Sequence, residues 1–335
     1  MTFPAKVKNP VPAQGNELRW ESEELFFDGD TFFTSLKSAI ASAERSIELE
    51  CYIFSQDSLG TEIIEALCAA AKRGVQVRIM VDGIGSLGWG PRYSEQLNQA
   101  GASYRIFHQV PWEWLRMHGP NPGLLVSFIE LLTRLNKRNH RKFCIIDERT
   151  AFIGSMNIWD VHLESRHGPD AWRDTGARIQ GDEVINLLTA FNIVWFTKRQ
   201  KLLYFLRSRG RRMLFPESSL VRLNSTRKLR RKNYLGLISR IRSAKHRLWI
   251  TNSYFVPHGA LLRALGRASA RNVDVRIIVP SRSDVIFMPW VTASFYQGLL
   301  KKGVRIFEYQ KSVLHAKSII IDDWTILGSS NLNYR

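Results

Sequence analysis

Two eight-residue stretches of the chain share one pattern of histidine, lysine and aspartate. They are His140-Arg141-Lys142-Phe143-Cys144-Ile145-Ile146-Asp147 and His315-Ala316-Lys317-Ser318-Ile319-Ile320-Ile321-Asp322. Each reads H-x-K-x4-D, and each is followed at nearly the same distance by G-S-x-N, which is Gly154–Asn157 in the first case and Gly328–Asn331 in the second. A single match can arise by chance, whereas two copies with the same sequel form a specific signal.

The spacing inside each motif indicates an anion site. Residues two apart on a strand point to the same face, so each His and Lys should project together. The apolar residues after each Lys should continue the strand through the core, and the Gly-Ser turn should bring the Asn back to the same strand end. Two such halves facing each other place two imidazoles, two ammonium groups and two amides around one anion. Phosphoryl transfer needs this set of groups.

The neighbouring lysines bear on both protonation and cofactors. An ammonium group beside an imidazole lowers the pKa of that imidazole and favours its neutral, nucleophilic form. The lysines also supply the positive charge that a metal ion would otherwise bring, and an H-x-K pair is poor ligand spacing for zinc. The sequence therefore predicts no metal and no other cofactor.

The two motifs belong to a longer internal repeat. The stretch 42–54 matches 243–256, and a helical pattern at 63–74 matches 261–272, where Asn272 takes the place of the terminating Gly74. Two further pairs of short, strand-like runs match: 75–81 with 273–279, and 101–107 with 303–307. The order strand, helix, strand, helix, strand in each half predicts two α/β domains.

Composition excludes several classes of protein. The 335 residues are 44% hydrophobic and 11% aromatic, which excludes a disordered basic tail. The apolar run 124–132 is too short to span a membrane, and residues 1–12 lack the apolar core of a secretory signal. Cys51, Cys68 and Cys144 have no metal-ligand spacing and are expected to be buried, reduced hydrophobes. The net charge of +18 indicates an anionic partner, either nucleic acid or anionic lipid.

Much of that charge lies in one segment. Residues 198–232 contain thirteen Lys and Arg with one acid, Glu217, and supply +12 of the +18. Three interpretations remain open for this stretch: a solvated linker helix, an amphipathic segment on an anionic membrane, or a segment that follows a phosphate backbone. We divide the chain into an N-terminal extension (1–20), a first domain (21–197), this basic amphipathic linker (198–232) and a second domain (233–335).

At these motifs the sequence resembles the phospholipase D superfamily, whose signature is the doubled H-x-K-x4-D, over about residues 20–335. The resemblance implies an α/β fold of two phospholipase D-like domains from an internal duplication, with mixed sheets flanked by helices and one active site at the domain interface. It also implies two-step transfer through a covalent phosphohistidine. By position, His140 would be the nucleophile, and His315 the general acid that then activates the acceptor.

The resemblance also suggests roles for the other motif residues. Those expected to hold the phosphate are Lys142, Lys317, Asn157 and Asn331, together with Ser155 and Ser329 of the Gly-Ser turns. Asp147 and Asp322 complete the catalytic motif, in a role more structural than chemical. An acid after the first G-S-x-N usually orients the nucleophilic imidazole, and Asp174 is the best match. His162 is expected to be a surface or supporting residue rather than a metal ligand.

Further segments resemble bacterial cardiolipin synthases without N-terminal membrane spans, namely 81–86 and 252–257. This resemblance implies transfer of a phosphatidyl group to His140 and then to a phosphatidylglycerol hydroxyl, at the cytoplasmic face of the bacterial inner membrane. Trp112 and Trp114, beside the apolar run 124–132 and a basic end, suit an anionic bilayer interface, although a lid helix on the domain would also explain them. Such an insertion disfavours a nuclease, so no nucleic acid partner is expected.

Three alternatives stay open: a hydrolytic phospholipase D, a metal-independent phosphodiesterase or nuclease, and an inactive lipid-binding protein. The last arises because only four residues follow Asn331, whereas after Asn157 the first half has a strand pattern at 175–179 and a helix pattern at 182–196. By the logic of the repeat, the second domain is expected to be truncated at its C-terminus. It would then lack a last strand, a last helix and any acid to orient His315. The oligomeric state is left open.

Overall fold

A computed structural model of the chain describes residues 20–108, 138–196, 220–223, 226–329 and 332. The N-terminal extension up to residue 19, the Trp-containing insertion, most of the basic linker and Asn331 lie outside the described residues. None of the described helices is long and apolar enough to cross a membrane.

The first half is a seven-stranded mixed sheet with helices on both faces. Its strands are β1 (Ser22–Phe26), β2 (Ser46–Cys51), β3 (Gln76–Asp82), β4 (Ser103–Phe107), β5 (Phe143–Ile146), β6 (Thr150–Gly154) and β7 (Gly176–Gln180). Its helices are α1 (Gly29–Ser42), α2 (Ser58–Lys72), α3 (Trp89–Ala100), α4 (Glu164–His167) and α5 (Val184–Trp195). The strand order is β1-β7-β6-β5-β2-β3-β4, in which β2, β3 and β4 are parallel and the other neighbours antiparallel.

The second half repeats this plan on a smaller scale. Its strands are β8 (Arg247–Thr251), β9 (Asp274–Pro280), β10 (Arg305–Tyr309), β11 (Ser318–Ile321) and β12 (Trp324–Leu327). Its helices are α6 (Arg227–Ser243), α7 (Gly259–Ala270), α8 (Met288–Ala293) and α9 (Tyr296–Leu300). The order β10-β9-β8-β11-β12 matches β4-β3-β2-β5-β6 of the first half. The prediction of two α/β units with mixed sheets flanked by helices is confirmed.

Local chemistry explains where the helices begin and end. The Asp28 carboxylate accepts a hydrogen bond from the backbone N–H of Thr31 (2.7 Å) and caps α1, while the Asp57 carboxylate does the same for α2. Gly74 follows α2 with a φ of 93°, and Asn272 follows α7 with a φ of 64°. Both adopt the left-handed conformation that glycine and, less often, asparagine accept at helix ends. The predicted exchange of glycine for asparagine in the repeat is confirmed.

The sheet topology places each motif at the end of its own sheet where the parallel strands finish. β5 is antiparallel to β2, so the chain enters β5 at the edge where the parallel strands β2 and β3 end. The same holds for β11 beside β8. The His and Lys of each motif were predicted to lie in the strand itself. They lie instead just before it, because β5 begins at Phe143 and β11 at Ser318.

Apolar packing differs between the two sheets. In the first half, α1, α2 and α3 bury one face of the sheet, and α5 buries the other with Phe191 and Trp195. In the second half, α6, α7 and α9 pack on one face. On the other face of the described second sheet, Ile278 and Phe307 are exposed. The three cysteines are buried and free, as predicted, and burial raises the pKa of Cys51 to about 11, which makes it unreactive.

Candidate active site

The two halves meet through the segment just before His315. The backbone N–H of Arg173, from the first half, donates to the carbonyl of Val313 (2.9 Å). The backbone N–H of His315 donates in turn to the carbonyl of Arg173 (2.9 Å). Arg173 and Leu314 therefore pair as an isolated bridge between the halves. This short ladder fixes His315 against the loop that carries Asp174.

Asp174 holds the imidazole of His315. Its Oδ2 lies 2.8 Å from Nδ1 of His315, and both side chains are buried. The sequence-based expectation was that Asp174 orients the nucleophilic His140 and that His315 has no acid. The structure corrects both points, because the ladder through Arg173 carries Asp174 across the interface to the other histidine. The loop connection between β6 and β7 is long enough for this crossing, and a repeat pattern alone does not show it.

Further donors fix the Asp174 carboxylate. Oδ1 accepts hydrogen bonds from the Ser155 hydroxyl and from the backbone N–H of Thr175 (2.7 Å). Burial alone would raise the pKa of Asp174, but the charge and hydrogen bond of His315 hold that pKa well below its ordinary range. Ser155 thus differs from expectation: its fully buried hydroxyl supports Asp174 rather than facing a phosphate.

His140 lies in different surroundings. Its ring stacks on Tyr52, with centroids 4.0 Å apart, and the residue keeps an exposed surface. The surrounding protein removes water from the His140 ring, and this desolvation lowers the pKa of His140. The charges of Lys142 and Lys317 lower it further, to about 4. The lysine effect expected from the sequence is therefore present, but burial is the larger cause. At neutral pH the His140 imidazole is uncharged and its nitrogen lone pair is available.

Lys142 and Lys317 adopt the same conformation in the two halves. The Nζ of Lys142 donates to the carbonyl of His140 (3.1 Å), and the Nζ of Lys317 donates to the carbonyl of His315. Both lysines are buried. Burial lowers the pKa of Lys142 to about 8 and that of Lys317 to about 7. The charge of Asp174 acts on both lysines but offsets the effect of burial only in part, so a bound anion would stabilise both ammonium groups further.

Asn157 is buried beside these groups and is tied to a further histidine. Its Oδ1 accepts from the backbone N–H of Ile53 (3.2 Å), which leaves its amide N–H groups as donors. The backbone N–H of Asn157 donates to Nε2 of His162 (3.2 Å), so the proton of neutral His162 is on Nδ1. That Nδ1 lies 3.8 Å from Oδ2 of Asp174. His162, which the sequence indicated only as a surface or supporting residue, is thus a buried neighbour of Asp174. Burial lowers its pKa to about 3.

Asp147 and Asp322 lie at the other end of their strands. The Asp147 carboxylate accepts hydrogen bonds from the backbone N–H groups of Glu44, Arg45 and Ser46. Asp322 binds the equivalent backbone groups of the loop before β8. An open cavity of about 780 Å³ next to Asp147 contains neither catalytic histidine. Both aspartates, placed in the catalytic set by the motif, therefore have the structural role that was also expected.

Two motif residues remain to be placed. Ser329 is half-buried just after Gly328, whose backbone N–H donates to the carbonyl of Lys317 (3.3 Å). Its role in phosphate binding stays a prediction. Asn331, its companion in the second G-S-x-N, lies outside the described residues.

The structure also shows supporting residues that the motif analysis did not single out. Asp82 is buried at the end of β3, where its carboxylate accepts from the backbone N–H groups of Ile84, Gly85 and Asn139. It thereby fixes the residue just before His140. The D-G-x-G-S segment contained this signal, because an acid at a strand end before two glycines is suited to binding backbone N–H groups.

A second buried acid, Glu50, pairs with Arg141, the residue between His140 and Lys142 in the first motif. The Glu50 carboxylate forms an ion pair with Arg141 (2.8 Å) and accepts a hydrogen bond from the Asn139 amide. Burial raises the pKa of Glu50 against these favourable contacts. No local pattern in the sequence indicates this pairing, because Glu50 lies 91 positions before Arg141 and meets it only through the β2–β5 register.

Three of the described groups have the donor types of a metal site. The nitrogen and oxygen atoms of His162, Asp174 and His315 lie within 4.8 Å of one another. Only Nδ1 of His315 is within hydrogen-bond distance of Asp174 (2.8 Å), whereas Nδ1 of His162 lies 3.8 Å away and makes no hydrogen bond. The charge of Lys317 also acts on Asp174, and that charge would repel a cation in this place. The set therefore fits a carboxylate that serves His315 and Lys317 better than a ligand set for a cation.

Comparisons with known proteins agree with this geometry. The family model described as "Cardiolipin synthase, PLD-like domain" matches residues 36–189 and 237–335. A cardiolipin synthase of Clostridium perfringens is 33% identical over 98% of this chain, and the major cardiolipin synthase of Bacillus subtilis is 31% identical over 94%. The chain spans 66% of the length of the first relative and 63% of the second.

A solved structure shares the fold at low sequence identity. The phosphatidylserine synthase of Haemophilus influenzae is 12% identical, with a TM-score of 0.62, and the match covers 92% of this chain and 77% of that one. The resemblance drawn from the doubled motif is thereby confirmed, and the chain belongs to the cardiolipin synthase family of phospholipase D-like proteins.

Proposed function

We propose that this chain carries the active site of a phosphatidyltransferase that makes cardiolipin from phosphatidylglycerol and a second phospholipid. The observation that carries the proposal is the 2.8 Å contact between Asp174 of the first half and His315 of the second. This contact joins the two motifs into one site. In the proposal, two histidines, two buried lysines and the Asn157 amide surround one phosphodiester, a set that matches the needs of phosphodiester transfer. The charges of Lys142, Lys317 and His315 all act on His140, which supports this arrangement.

The first step uses the two histidines in different roles. A ring nitrogen of neutral His140 attacks the phosphorus of the donor lipid, and the bond between phosphorus and the leaving alcohol oxygen breaks. His315 gives the proton on its Nε2 to that oxygen, while its Nδ1–H stays on Asp174. A phosphatidyl group is now bonded to His140. The low pKa of His140 supports the nucleophilic role, and the carboxylate partner of His315 supports the role of proton donor.

The second step reverses the proton transfer. The hydroxyl of phosphatidylglycerol enters the place of the leaving alcohol, and Nε2 of His315 accepts its proton. The hydroxyl oxygen attacks phosphorus, and the bond between phosphorus and His140 breaks. Cardiolipin is released, and both histidines return to their starting protonation states. If water entered instead, the product would be phosphatidic acid, which is the outcome of the hydrolytic alternative.

Charge stabilisation comes from the buried lysines and the Asn157 amide. Burial has already lowered the pKa values of Lys142 and Lys317, and an anionic phosphodiester between them reverses that effect. The same negative charge raises the pKa of His315, which burial and Lys317 lower in the empty site. Substrate binding thus creates the protonated His315 that the first step requires.

The proposed partner is an anionic phospholipid membrane, at the cytoplasmic face of the bacterial inner membrane. The net charge of +18 supports an anionic surface, and both substrates are lipids. Phosphatidylglycerol as the acceptor also belongs to this proposal.

The experiment is lipid conversion in vesicles of phosphatidylglycerol, followed by separation of the products. Wild-type chain should form cardiolipin, and His140→Asn and His315→Asn should not. The Asp323→Asn variant is the matched control, because Asp323 is an exposed acid next to the second motif. Phosphatidic acid as the only product would contradict transferase activity and favour the hydrolase. Cleavage of DNA without lipid turnover would favour the nuclease.

A further inference from the structure

Three large apolar side chains stand out from the surface of the second half. Ile286 is 83% exposed, Phe287 59% and Trp290 74%, and Ile286 and Trp290 have the highest exposures among the large apolar side chains of the described residues. Aromatic side chains bury 150–250 Å² each when covered, so these three present on the order of 400 Å². An exposed apolar area of this size matches the largest patch of a typical monomer, which is often a functional surface. We call these three residues the apolar patch.

The fold holds the apolar patch outward. Ile286 and Phe287 precede α8, and Trp290 lies on it. Thr292, on the same helix, is buried and turns the other side of α8 toward the domain. The backbone N–H of Val291 donates to the carbonyl of Phe287 (3.2 Å), which joins Phe287 to the helix. The exposure of the apolar patch is therefore a property of an ordered helical turn.

The corresponding place in the first half is built differently. There Trp89 follows the D-G-x-G-S segment and starts α3. Trp89 is fully buried and packs on Phe54, Tyr93 and Tyr104. The segments that follow β3 and β9 thus differ, because the first buries its tryptophan and the second exposes Trp290.

The apolar patch borders the candidate active site. Asp284, two residues before Ile286, accepts a hydrogen bond from the hydroxyl of Tyr254 (2.5 Å). Tyr254 is the repeat counterpart of Tyr52, on which His140 stacks. The charge of Asp284 also acts on Lys317. The apolar patch therefore begins two residues after a carboxylate whose charge acts on Lys317 of the candidate site.

Resting on the phospholipid activity proposed above, we propose that the apolar patch inserts into the interface of an anionic phospholipid bilayer. It would set the mouth of the active site against the lipid surface. Tryptophan prefers the bilayer interface, where its apolar ring and its polar N–H are both satisfied, and phenylalanine beside it adds apolar area on the lipid side. Lipid substrates would then reach His140 with their acyl chains still in the membrane.

Charge around the apolar patch favours lipid over a second copy of the chain. Arg282, Lys301 and Lys302 are exposed in the same stretch of chain. Two copies meeting through this surface would bring these cations together, and like charges repel. Anionic headgroups would instead attract and neutralise them.

The test is vesicle sedimentation with the full chain. The vesicles contain phosphatidylglycerol and phosphatidylcholine, and the triple variant Ile286→Ser, Phe287→Ser, Trp290→Ser is compared with wild type. The apparent partition coefficient should fall at least tenfold. Leu235→Ser is the matched control, because Leu235 is a single apolar residue that is 55% exposed on α6, and its loss should leave binding unchanged. Circular dichroism establishes that all variants are folded.

A second readout follows Trp290 directly. Lipids brominated along their acyl chains should quench wild-type fluorescence more than that of Trp290→Phe, because Trp290 enters the acyl region. Equal quenching, equal partitioning of the triple variant, or no vesicle binding by wild type would overturn the proposal. A change of oligomeric state with unchanged vesicle binding would assign the apolar patch to a second copy and also overturn it. Loss of vesicle binding with no cardiolipin formed by wild type would support the apolar patch while the transferase proposal fails.

Discussion

His140 and His315 occupy equivalent positions in the repeat but have different surroundings. His315 is buried, and Asp174 holds its Nδ1 at 2.8 Å. His140 keeps an exposed surface and is stacked on Tyr52, and no carboxylate of the described residues contacts it. Under the proposed mechanism, the surroundings of His315 suit an imidazole that carries and exchanges a proton, and those of His140 suit one that remains neutral. Within the described residues, two copies of the same chemical group thus have different environments.

Unlike the histidines, the two motif lysines have similar environments. Lys142 and Lys317 are both buried, and each donates its ammonium to the carbonyl of the histidine two residues earlier. A phosphodiester has two non-bridging oxygens of similar charge, so a symmetric pair of cations suits it. In the proposed reaction the two histidines take different parts in proton transfer, which fits their different surroundings. Under the proposed mechanism, the lysines of the two H-x-K motifs share the role of binding phosphate, and the histidines have different roles.

The largest effect should come from replacing either histidine. His140→Asn and His315→Asn should each lower cardiolipin formation by at least about 10⁴-fold, because groups that act as one unit lose nearly all activity singly. The double variant should be no slower than the slower single variant. Rates are measured on phosphatidylglycerol vesicles. An additive loss in the double variant would show that the histidines do not act in one site.

Asp174→Asn tests the difference between the two histidines. The exchange removes the carboxylate charge from His315 and should lower kcat by about 10³–10⁴-fold. NMR titration of the imidazole signals should show a lower pKa for His315 and an unchanged pKa for His140. An equal shift at both histidines would contradict the assignment of Asp174 to His315.

The symmetric lysines predict an alkaline limit to activity. Both folded-state pKa values are lowered, to about 8 for Lys142 and about 7 for Lys317, so each lysine loses its charge as the pH rises through that value. For the free protein, kcat/KM should fall above about pH 7–8. The profile of kcat should turn down at higher pH, because bound phosphate raises both pKa values. In Lys317→Arg the fall in kcat/KM should move to higher pH, and an unmoved profile would show that Lys317 does not set it.

Two substitutions of His162 test whether its role depends on its Nε2, near Asn157, or on its Nδ1, near Asp174. The hydrogen bond that His162 makes is from the Asn157 N–H to its Nε2, whereas its Nδ1 lies 3.8 Å from Asp174 and makes no hydrogen bond. Glutamine keeps an acceptor at the place of Nε2 and asparagine does not, so His162→Asn should lower kcat about tenfold and His162→Gln less. The reverse order would assign the role to the side of the ring that faces Asp174. Equal losses with unchanged pH profiles would mean that His162 acts only in packing.

The smallest effect on catalysis should come from Asp147 and Asp322, at the far strand ends. Asp147→Ala and Asp322→Ala should each lower the free energy of unfolding by about 1–2 kcal/mol, since each carboxylate binds three backbone N–H groups. Both carboxyls have lowered pKa values in the folded state. Their stabilisation is therefore present above the ordinary Asp pKa and is lost as the pH falls through the lowered value.

Urea denaturation at pH 7 and pH 3 measures this effect, with Asp323→Ala as the control because Asp323 is exposed and pairs only with Arg247. The difference between variant and wild type should be smaller at pH 3. A loss of kcat comparable to that of the histidine variants, in a protein that stays folded, would place these aspartates in the chemistry after all.

Much of the fold could be predicted from the sequence because each half of the repeat supports the interpretation of the other. Strand and helix patterns that occur twice in the same order fix the two sheets, and Asn272 in place of Gly74 showed which local substitutions the repeat tolerates. The H-x-K spacing predicted paired groups at a strand end, and the structure differs only in placing them just before the strand. These features depend on local geometry, which sequence spacing reports directly.

The crossing of Asp174 to His315 could not be predicted in the same way. It depends on the Arg173 ladder between the halves, and on which loop reaches over the interface. The Ser155 hydroxyl and the buried Glu50–Arg141 pair are likewise set by tertiary contacts between distant residues. The exposure of Trp290 depends on how α8 is turned, whereas Trp89, in the segment that follows β3 of the first half, is buried.

The most direct test of the account is to locate the covalent intermediate. A phosphatidyl ester of p-nitrophenol has a leaving group that needs no proton, so His315→Ala should still complete the first step and then stall without a base for the second. Mass spectrometry of the digested protein should find the phosphatidyl group on His140. His140→Ala should carry no label with the same substrate. A label on His315 in the His140→Ala variant, or none in either variant, would contradict the claim that the two histidines are nucleophile and proton donor in that order.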